Sequence, residues 1–173
     1  MKKLFFTKKN KPMKTLNFVT EVSIYSGKSE LTNEVNHLIE LARESAQKAY
    51  APYSGFHVGA AILLNNGAVV TANNQENAAF PSGLCAERNA AYYASSQYPE
   101  VPFSKIAVAS LESFNGQPVT PCGACRQVLL EYENKFNQDI EVILASPEEQ
   151  IYIFSNVAKL LPFCFSSSYL RSS

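Results

Sequence analysis

Apolar residues recur at spacings of three and four in the first patterned stretch of the chain. Asn33 precedes this stretch and can cap a helix, because its side chain can accept a hydrogen bond from a free backbone N–H of the first turn. The apolar stripe would cover one face of that helix and consists of Val35, Leu38, Ala42, Ala46 and Ala49. Pro52 interrupts helical hydrogen bonding, so the pattern predicts a helix from Asn33 to about Ala51.

Two short apolar runs, residues 58–64 and 68–72, follow this helix. They are joined through Asn66 and Gly67, a dipeptide that favours the two positive φ values of a type I′ turn. The pair of runs therefore predicts a β-hairpin.

Helical and strand patterns then alternate to the end of the chain. Helices are predicted over residues 86–96 and 123–135, and strands over residues 106–111, 140–145 and 151–154. A short last helix over residues 157–161 would be capped by Ser155. Right-handed crossovers between successive strands would make the later strands parallel and cover them with helices. The predicted fold class is α/β, a three-layer α/β/α sandwich around a mixed five-stranded sheet.

Residues 1–30 have a different character. Lysines occur without an acidic residue at positions 2, 3, 8, 9, 11 and 14, and the apolar run at residues 4–6 is too short for the core of a signal peptide. An alternation that favours one strand follows, in Leu16, Phe18, Val22 and Ile24. We expect residues 1–30 to be an extension, partly flexible with one possible strand, before a single domain over residues 31–170. Met13 is an alternative start of the chain.

Length and charge exclude several classes of partner. The chain has 173 residues, enough for one hydrophobic core, and Lys+Arg equal Asp+Glu at 15 each. A balanced charge provides no general attraction to nucleic acid or to a membrane surface. No apolar stretch approaches the roughly 20 residues of a spanning helix. We expect a cytoplasmic protein with neither a nucleic-acid polymer nor a membrane as its partner.

The cysteines carry the strongest chemical signal. Cys85 and Glu87 form a Cys-x-Glu motif, Cys122 and Cys125 form a Cys-x-x-Cys motif, and Cys164 stands alone. A chain of this size does not require disulfides, and such spacing in a reducing compartment is typical of metal binding or catalysis. By itself, Cys-x-x-Cys would fit a thiol redox protein as well as a metal site.

Both cysteine motifs begin predicted helices, where free N–H groups and the positive helix end favour thiolates. Three thiolates would leave the fourth tetrahedral position open, as in a catalytic zinc site. A closed structural site would need His37, His57 or Cys164, and none of them has motif spacing. We expect one Zn²⁺ per chain, with Cys85, Cys122 and Cys125 as its ligands.

Glu87 can exchange protons with a water at the open position without binding zinc. Zinc deaminases of nucleobases carry His/Cys-x-Glu followed by Pro-Cys-x-x-Cys, with this glutamate as the proton carrier. Both halves occur here, and the sequence resembles the cytidine deaminase family, in its small three-cysteine, homotetrameric form. The resemblance runs over about residues 35–170 and is carried by YAPYSGFHVGAA at 50–61, NQENA at 74–78, CAER at 85–88, PCGACRQ at 121–127 and LLP at 160–162.

This resemblance implies hydrolysis of cytidine and 2′-deoxycytidine to uridine and 2′-deoxyuridine plus ammonia, in pyrimidine salvage. Glu87 would carry protons to ring N3 and to the leaving amino group. Asn74 and Glu76 would hold the ribose, and Phe56 would pack on the pyrimidine. The other implied positions are Ala86 in substrate binding, Arg88 as a donor to the cysteine sulfurs, and Phe165 as a residue that enters a neighbouring subunit's site in a homotetramer.

Alternative functions remain open. A deaminase of another nucleoside-like substrate, such as a nucleoside antibiotic, would share the zinc chemistry but is expected to lack the Asn74 and Glu76 pair. A structural zinc module predicts four protein ligands and no need for Glu87. A redox protein predicts a reversible disulfide in the Cys-x-x-Cys motif and no metal. For Arg126, three roles remain open: it would donate to the cysteine sulfurs, lie in solvent, or form an intersubunit salt bridge.

Overall fold

The fold was obtained as a computed structural model, which describes residues 14–148 and 150–170. The lysine-rich first thirteen residues, part of the extension expected to be flexible, lie outside this range. The strands are β1 (Ser23–Tyr25), β2 (Val58–Leu64), β3 (Val69–Asn73), β4 (Phe103–Ser110), β5 (Glu141–Ala145) and β6 (Ile151–Phe154). The α-helices are α1 (Asn33–Ala46), α2 (Ala86–Gln97) and α3 (Gly123–Phe136).

The strands form one mixed sheet in the order β1-β6-β5-β4-β2-β3. Six strands are present where five were predicted, and the additional one, β1, comes from the extension and pairs antiparallel with β6. As predicted, β3, β4 and β5 run in the same direction, but β2 lies between β3 and β4 and is antiparallel to both. The only adjacent parallel pair in the described sheet is therefore β4 and β5.

Helices cover both faces of the sheet, which confirms the three-layer α/β/α sandwich. Successive side chains of a strand point to opposite faces, so Ala60 and Ile62 of β2 pack in one core cluster while Ala61 packs in the other. The α1 cluster includes Leu38, Ile39, Ala42, Ala107 and Ile143. The cluster beneath α2 and α3 includes Ala90, Ala94, Val108, Leu129 and Leu144.

Several predicted helix boundaries shift. Thr32 caps α1 in place of Asn33, since its side chain accepts from Val35 N at 3.3 Å. The helix ends at Ala46, before the predicted end near Ala51. The last short helix, Val157–Leu160, is a 3-10 turn capped by Asn156 in place of Ser155. No helix in the described part of the chain is long and apolar enough to cross a membrane.

The hairpin between β2 and β3 is confirmed, but its turn is not type I′. Gly67 has a φ of 84°, whereas Asn66 is not among the residues with positive φ. Gly67 N donates to Leu64 O at 2.9 Å, as expected for a type I turn followed by a left-handed glycine. The other Asn-Gly dipeptide, Asn115 and Gly116, has both φ values positive.

A close contact between α1 and β2 depends on a glycine. A Cβ built on Gly59 would lie 1.9 Å from the Ala42 carbonyl oxygen and 2.5 Å from Ala46 N. Both atoms belong to the helix backbone, so no side-chain rotation would relieve the clash. Gly59 therefore sets how closely α1 approaches the strand that leads out of the candidate site.

Candidate active site

The two cysteine motifs meet because β3 and β4 run in the same direction. The chain leaves both strands at the same edge of the sheet, and the following loops lead to the first turns of α2 and α3. Cys85 is the N-cap of α2, and Cys122 is the N-cap of α3. Cys125 lies in the first turn of α3, with its side chain buried. The predicted placement of both motifs at helix starts is confirmed.

The three cysteine sulfurs form a cluster that fits zinc. They all lie within 4.8 Å of one another, and the sulfurs of Cys122 and Cys125 are 3.5 Å apart. Tetrahedral coordination with Zn–S bonds of about 2.3 Å separates two sulfurs by about 3.8 Å. Among the described residues no fourth ligand joins: His37 is exposed, His57 contacts Glu112 at 2.8 Å, and Cys164 packs against the core.

The protons of this cluster are unequally shared. The hydrogen bond from the Cys125 thiol lowers the pKa of Cys85 to about 5, and Arg88 lowers it further by a hydrogen bond and by its charge. The hydrogen bond that Cys125 donates to Cys85, together with burial, raises the pKa of Cys125. Cys85 thus ionises before Cys125 in the metal-free cluster, and a coordinated metal would favour the thiolate form of its cysteine ligands.

Arg88 is a cation beside the cysteine cluster. Its Nη2 lies 3.6 Å from Cys85 Sγ, and its Nε is buried with no hydrogen-bond partner among the described residues. A buried donor without a partner is costly, and thiolates drawn together on a metal would be suitable acceptors. The orphaned Nε is therefore an independent observation that fits a metal-thiolate centre.

Glu87 lies inside the site, with only 5% of its surface exposed. Burial raises the pKa of its carboxyl group, and the negative charge of Cys85 adds to this effect. Together with Ala86, Glu87 lines a cavity of about 160 Å³. The other lining residues are Phe56, Val58, Asn74, Cys85, Val119, Thr120 and Cys122. The structure thus brings the predicted proton carrier, two of the three cysteines and the predicted aromatic residue to one small cavity.

The Asn74 side chain binds backbone groups of the protein, which the sequence did not indicate. Its Nδ2 donates to Phe56 O at 2.8 Å, and its Oδ1 accepts from Val58 N at 2.8 Å. An amide group has two N–H donors and two acceptor lone pairs, so one of each remains for a ligand. Asn74 can therefore bind a ligand while it fixes the strand that carries Phe56.

Glu76 lies beside Asn74 and, like Asn74, both binds other protein groups and lines a cavity. It accepts from the backbone N of Tyr53 at 2.8 Å and from the hydroxyl of Ser54. These hydrogen bonds, that from Ser54 first, lower the pKa of Glu76. Glu76 also lines a second cavity of about 440 Å³, which shares Asn74 and Cys85 with the first. The two cavities therefore adjoin at the ends of these side chains.

Phe165, another predicted site residue, lines neither of the two cavities beside the cysteines. The residue is 57% exposed, and its ring stacks on Tyr169 with ring centroids 5.7 Å apart. Its backbone oxygen accepts from Gln127 Nε2 at 2.8 Å, which holds this segment on the outside of α3. Within one chain, Phe165 contributes nothing to the site.

Within one chain, Arg126 donates to backbone oxygens and not to the cysteine sulfurs. Its Nε donates to Pro121 O at 2.7 Å and its Nη1 to Leu160 O at 2.8 Å. The side chain thus ties the loop before Cys122 to the segment after β6. The sequence also gave no sign that Val119 and Thr120 line the cavity, apart from their position directly before the Pro-Cys motif.

The fold and site define a metal-binding deaminase of the α/β/α type, and comparison with known proteins identifies its family. Residues 32–136 match the family model described as "Cytidine and deoxycytidylate deaminase zinc-binding region". The chain belongs to this family. Zinc is accordingly the metal that the cysteine cluster fits, as predicted.

Individual relatives agree with this assignment. The chain is 38% identical over 137 residues to a probable cytidine deaminase of Dictyostelium discoideum, covering 79% of this chain and 87% of that protein. It is 39% identical over 137 residues to a cytidine deaminase of Sporosarcina psychrophila, covering 79% and 95%. The crystal structure of a Burkholderia pseudomallei cytidine deaminase superposes with a TM-score of 0.68 at 39% identity, covering 78% of this chain and 100% of that one.

Proposed function

We propose that this protein is a cytidine deaminase, which hydrolyses cytidine and 2′-deoxycytidine to uridine and 2′-deoxyuridine with release of ammonia. The observation that carries the proposal is the position of Glu87. It is a buried carboxyl group with a raised pKa, two residues from Cys85, in a cavity beside an open three-cysteine cluster. A structural zinc module would have no use for a buried acid at this position.

The chemistry divides between the metal and Glu87. When bound, zinc with one open position acidifies a water so that it is nucleophilic near neutral pH. Glu87 accepts the released proton, donates it to N3 of cytosine, and carries a second proton to N4 as the amino group leaves. Burial supports this role, because a raised pKa lets a carboxyl group hold a proton and release it near neutral pH.

The remaining cavity residues would bind and orient the nucleoside. Phe56 offers an aromatic face to the pyrimidine. Ala86 is the first residue of α2, where a backbone N–H has no partner within the helix and can donate to a base oxygen. The free donor and acceptor capacity of Asn74, and the carboxylate of Glu76, are suited to ribose hydroxyls.

The charge of the adjoining cavity favours a nucleoside over a nucleotide. Its described lining contains one carboxylate, Glu76, and no lysine or arginine. A 5′-phosphate would meet like charge there without a compensating cation, and a polynucleotide would meet the same obstacle. We therefore place the substrate among uncharged cytosine nucleosides. The ribose-directed pair also distinguishes this site from that expected for an antibiotic deaminase.

For the biological setting, we propose pyrimidine salvage in the cytoplasm by a homotetramer with its sites at subunit interfaces. The exposed position of Phe165, away from its own cavity, supports the assembly, because the ring is available to a neighbouring copy. The four cysteines are all free in the chain, which supports a reducing compartment.

The decisive experiment combines zinc analysis with a cytidine absorbance assay on the purified protein and on Glu87→Gln. We expect about one zinc per chain in both proteins. Turnover should fall at least about 100-fold in the variant, since general acid–base catalysis contributes that much or more. Glu131→Gln, an exposed change on α3, is the matched control and should retain full turnover.

Each other result has a definite meaning. Full turnover in Glu87→Gln would refute the proton-carrier role. Absence of zinc, or a reversible disulfide between Cys122 and Cys125, would refute the metal mechanism and favour a redox protein. Zinc bound without turnover of any cytosine nucleoside by the unmodified protein would favour a structural module.

A further inference from the structure

Around Phe56, the backbone N–H and C=O groups of Phe56 and Val58 all have hydrogen-bond partners. Phe56 N donates to Ser54 Oγ at 3.0 Å, and Phe56 O accepts from Asn74 Nδ2. Val58 N donates to Asn74 Oδ1, and Val58 O accepts from Asn74 N at 3.1 Å. Asn74 thus holds this segment from the side of the adjoining cavity. His57 lies between Phe56 and Val58 and is held from the opposite side of the segment.

Glu112 makes the contacts to His57. Its Oε2 accepts from His57 N at 2.7 Å, and its Oε1 lies 2.8 Å from His57 Nδ1. The backbone on either side of Glu112 is itself tied down: Leu111 N donates to His57 O at 3.0 Å, and Ser110 Oγ donates to Glu112 O at 2.9 Å. A single carboxylate therefore joins the end of β4 to the residue after Phe56.

The same loop also contacts the Phe56 ring. Phe114 packs against it edge to face, with ring centroids 5.4 Å apart and an interplanar angle of 86°. The tight turn at Asn115 and Gly116, closed by a hydrogen bond from Gln117 N to Phe114 O, presents Phe114 in this position. Edge-to-face packing leaves the Phe56 ring restricted in rotation.

We propose that Glu112 is a positioning residue for the substrate base: it fixes His57, and through His57 and the loop that carries Phe114 it fixes the orientation of the Phe56 ring. This inference rests on the proposed deaminase function, in which Phe56 packs on the pyrimidine. Glu112 is not among the residues that line either cavity beside the cysteines. Its effect is therefore indirect, through the backbone of residues 56–58 and through the Phe114 ring.

The position of Glu112 determines which kinetic constant should change. A pyrimidine packed on Phe56 is held before and during the reaction, so Phe56 supplies uniform binding energy. Loss of uniform binding raises KM and leaves kcat unchanged. A purely structural role would instead lower the active fraction, and with it the apparent kcat and the zinc content, at constant KM.

The test compares Glu112→Ala, Glu112→Gln and the exposed control Glu131→Ala. Loss of the charged acceptor in Glu112→Ala should raise KM for cytidine, and Kd for the product uridine measured by calorimetry, by roughly five- to thirty-fold. Its kcat and zinc content should match the unmodified protein. Glu112→Gln keeps an oxygen that can accept from His57 N, so it should recover most of the affinity, and Glu131→Ala should change nothing.

The outcomes separate this inference from the proposed function. A folded, zinc-loaded Glu112→Ala with unchanged KM and uridine Kd would overturn the positioning role while the deaminase assignment stands. An unmodified protein that neither turns over cytidine nor binds uridine would overturn both. If Glu112→Ala does not fold, His57→Ala takes its place, since it removes the Nδ1 contact alone. A KM raised severalfold would support the role, and an unchanged KM would refute it.

Discussion

The contact between α1 and β2 gives a prediction whose size follows from the geometry of Gly59. In Gly59→Ala the new Cβ would lie 1.9 Å from the Ala42 carbonyl oxygen. Restoring an ordinary contact requires the helix or the strand to move by about 1.5 Å, in a core where overpacking typically costs 1–3 kcal/mol. Because the obstructing atoms are backbone on both sides, we expect a loss at the upper end of this range, about 3 kcal/mol.

Thermal unfolding of the metal-loaded protein measures this loss. At this chain length 1 kcal/mol corresponds to about 2–4 °C in Tm, so Gly59→Ala should melt at least about 6 °C lower. Gly123→Ala is the matched control, because its Cβ would meet no atom within 4 Å and its φ is not positive. Gly67→Ala, in open space at a φ of +84°, should lose only about 1 kcal/mol through backbone strain. A Tm for Gly59→Ala equal to that of the Gly123→Ala control would refute the reasoning.

The remaining predictions concern the metal and the loop at Glu76. Removal of zinc by a chelator should abolish turnover and lower Tm, because the three cysteine sulfurs lose the ion that holds the starts of α2 and α3 together; an unchanged Tm would mean that the metal does not bridge the helices. The hydrogen bond from Ser54 lowers the pKa of Glu76 below 4.5, so its stabilisation is present above that pH and is lost as the pH falls through the folded-state pKa. Between pH 6 and 3 the unmodified protein should therefore lose more Tm than Glu76→Gln, and parallel losses would contradict this.

The site could be predicted from the sequence where its chemistry is local. Each cysteine motif lies within one turn of a helix start: Cys85 and Glu87 at α2, and Cys122 and Cys125 at α3. Helix starts are signalled by short sequence patterns. Two helix starts can supply one metal only if the strands before them point the same way. The alternation of strands and helices indicated that direction correctly.

The rest depends on contacts between distant segments. No local pattern places β2 between β3 and β4, because strand order is decided by packing across the whole sheet. The same holds for Arg126, whose acceptors on Pro121 and Leu160 lie on separate segments. Identical dipeptides also differ: Asn66-Gly67 joins two strands of the sheet, whereas Asn115-Gly116 lies in the loop between β4 and α3, and the two adopt different turns.

The short strand β1 has a consequence for the behaviour of the protein in concentrated solution. An uncovered β6 would present a row of free N–H and C=O groups, which is a template for aggregation between sheets. β1 occupies that edge from Ser23 to Tyr25 and exposes only a three-residue edge in its place. Very short edge strands resist the addition of another strand. A chain shortened to begin after Tyr25 should keep the cysteine cluster and yet precipitate more readily.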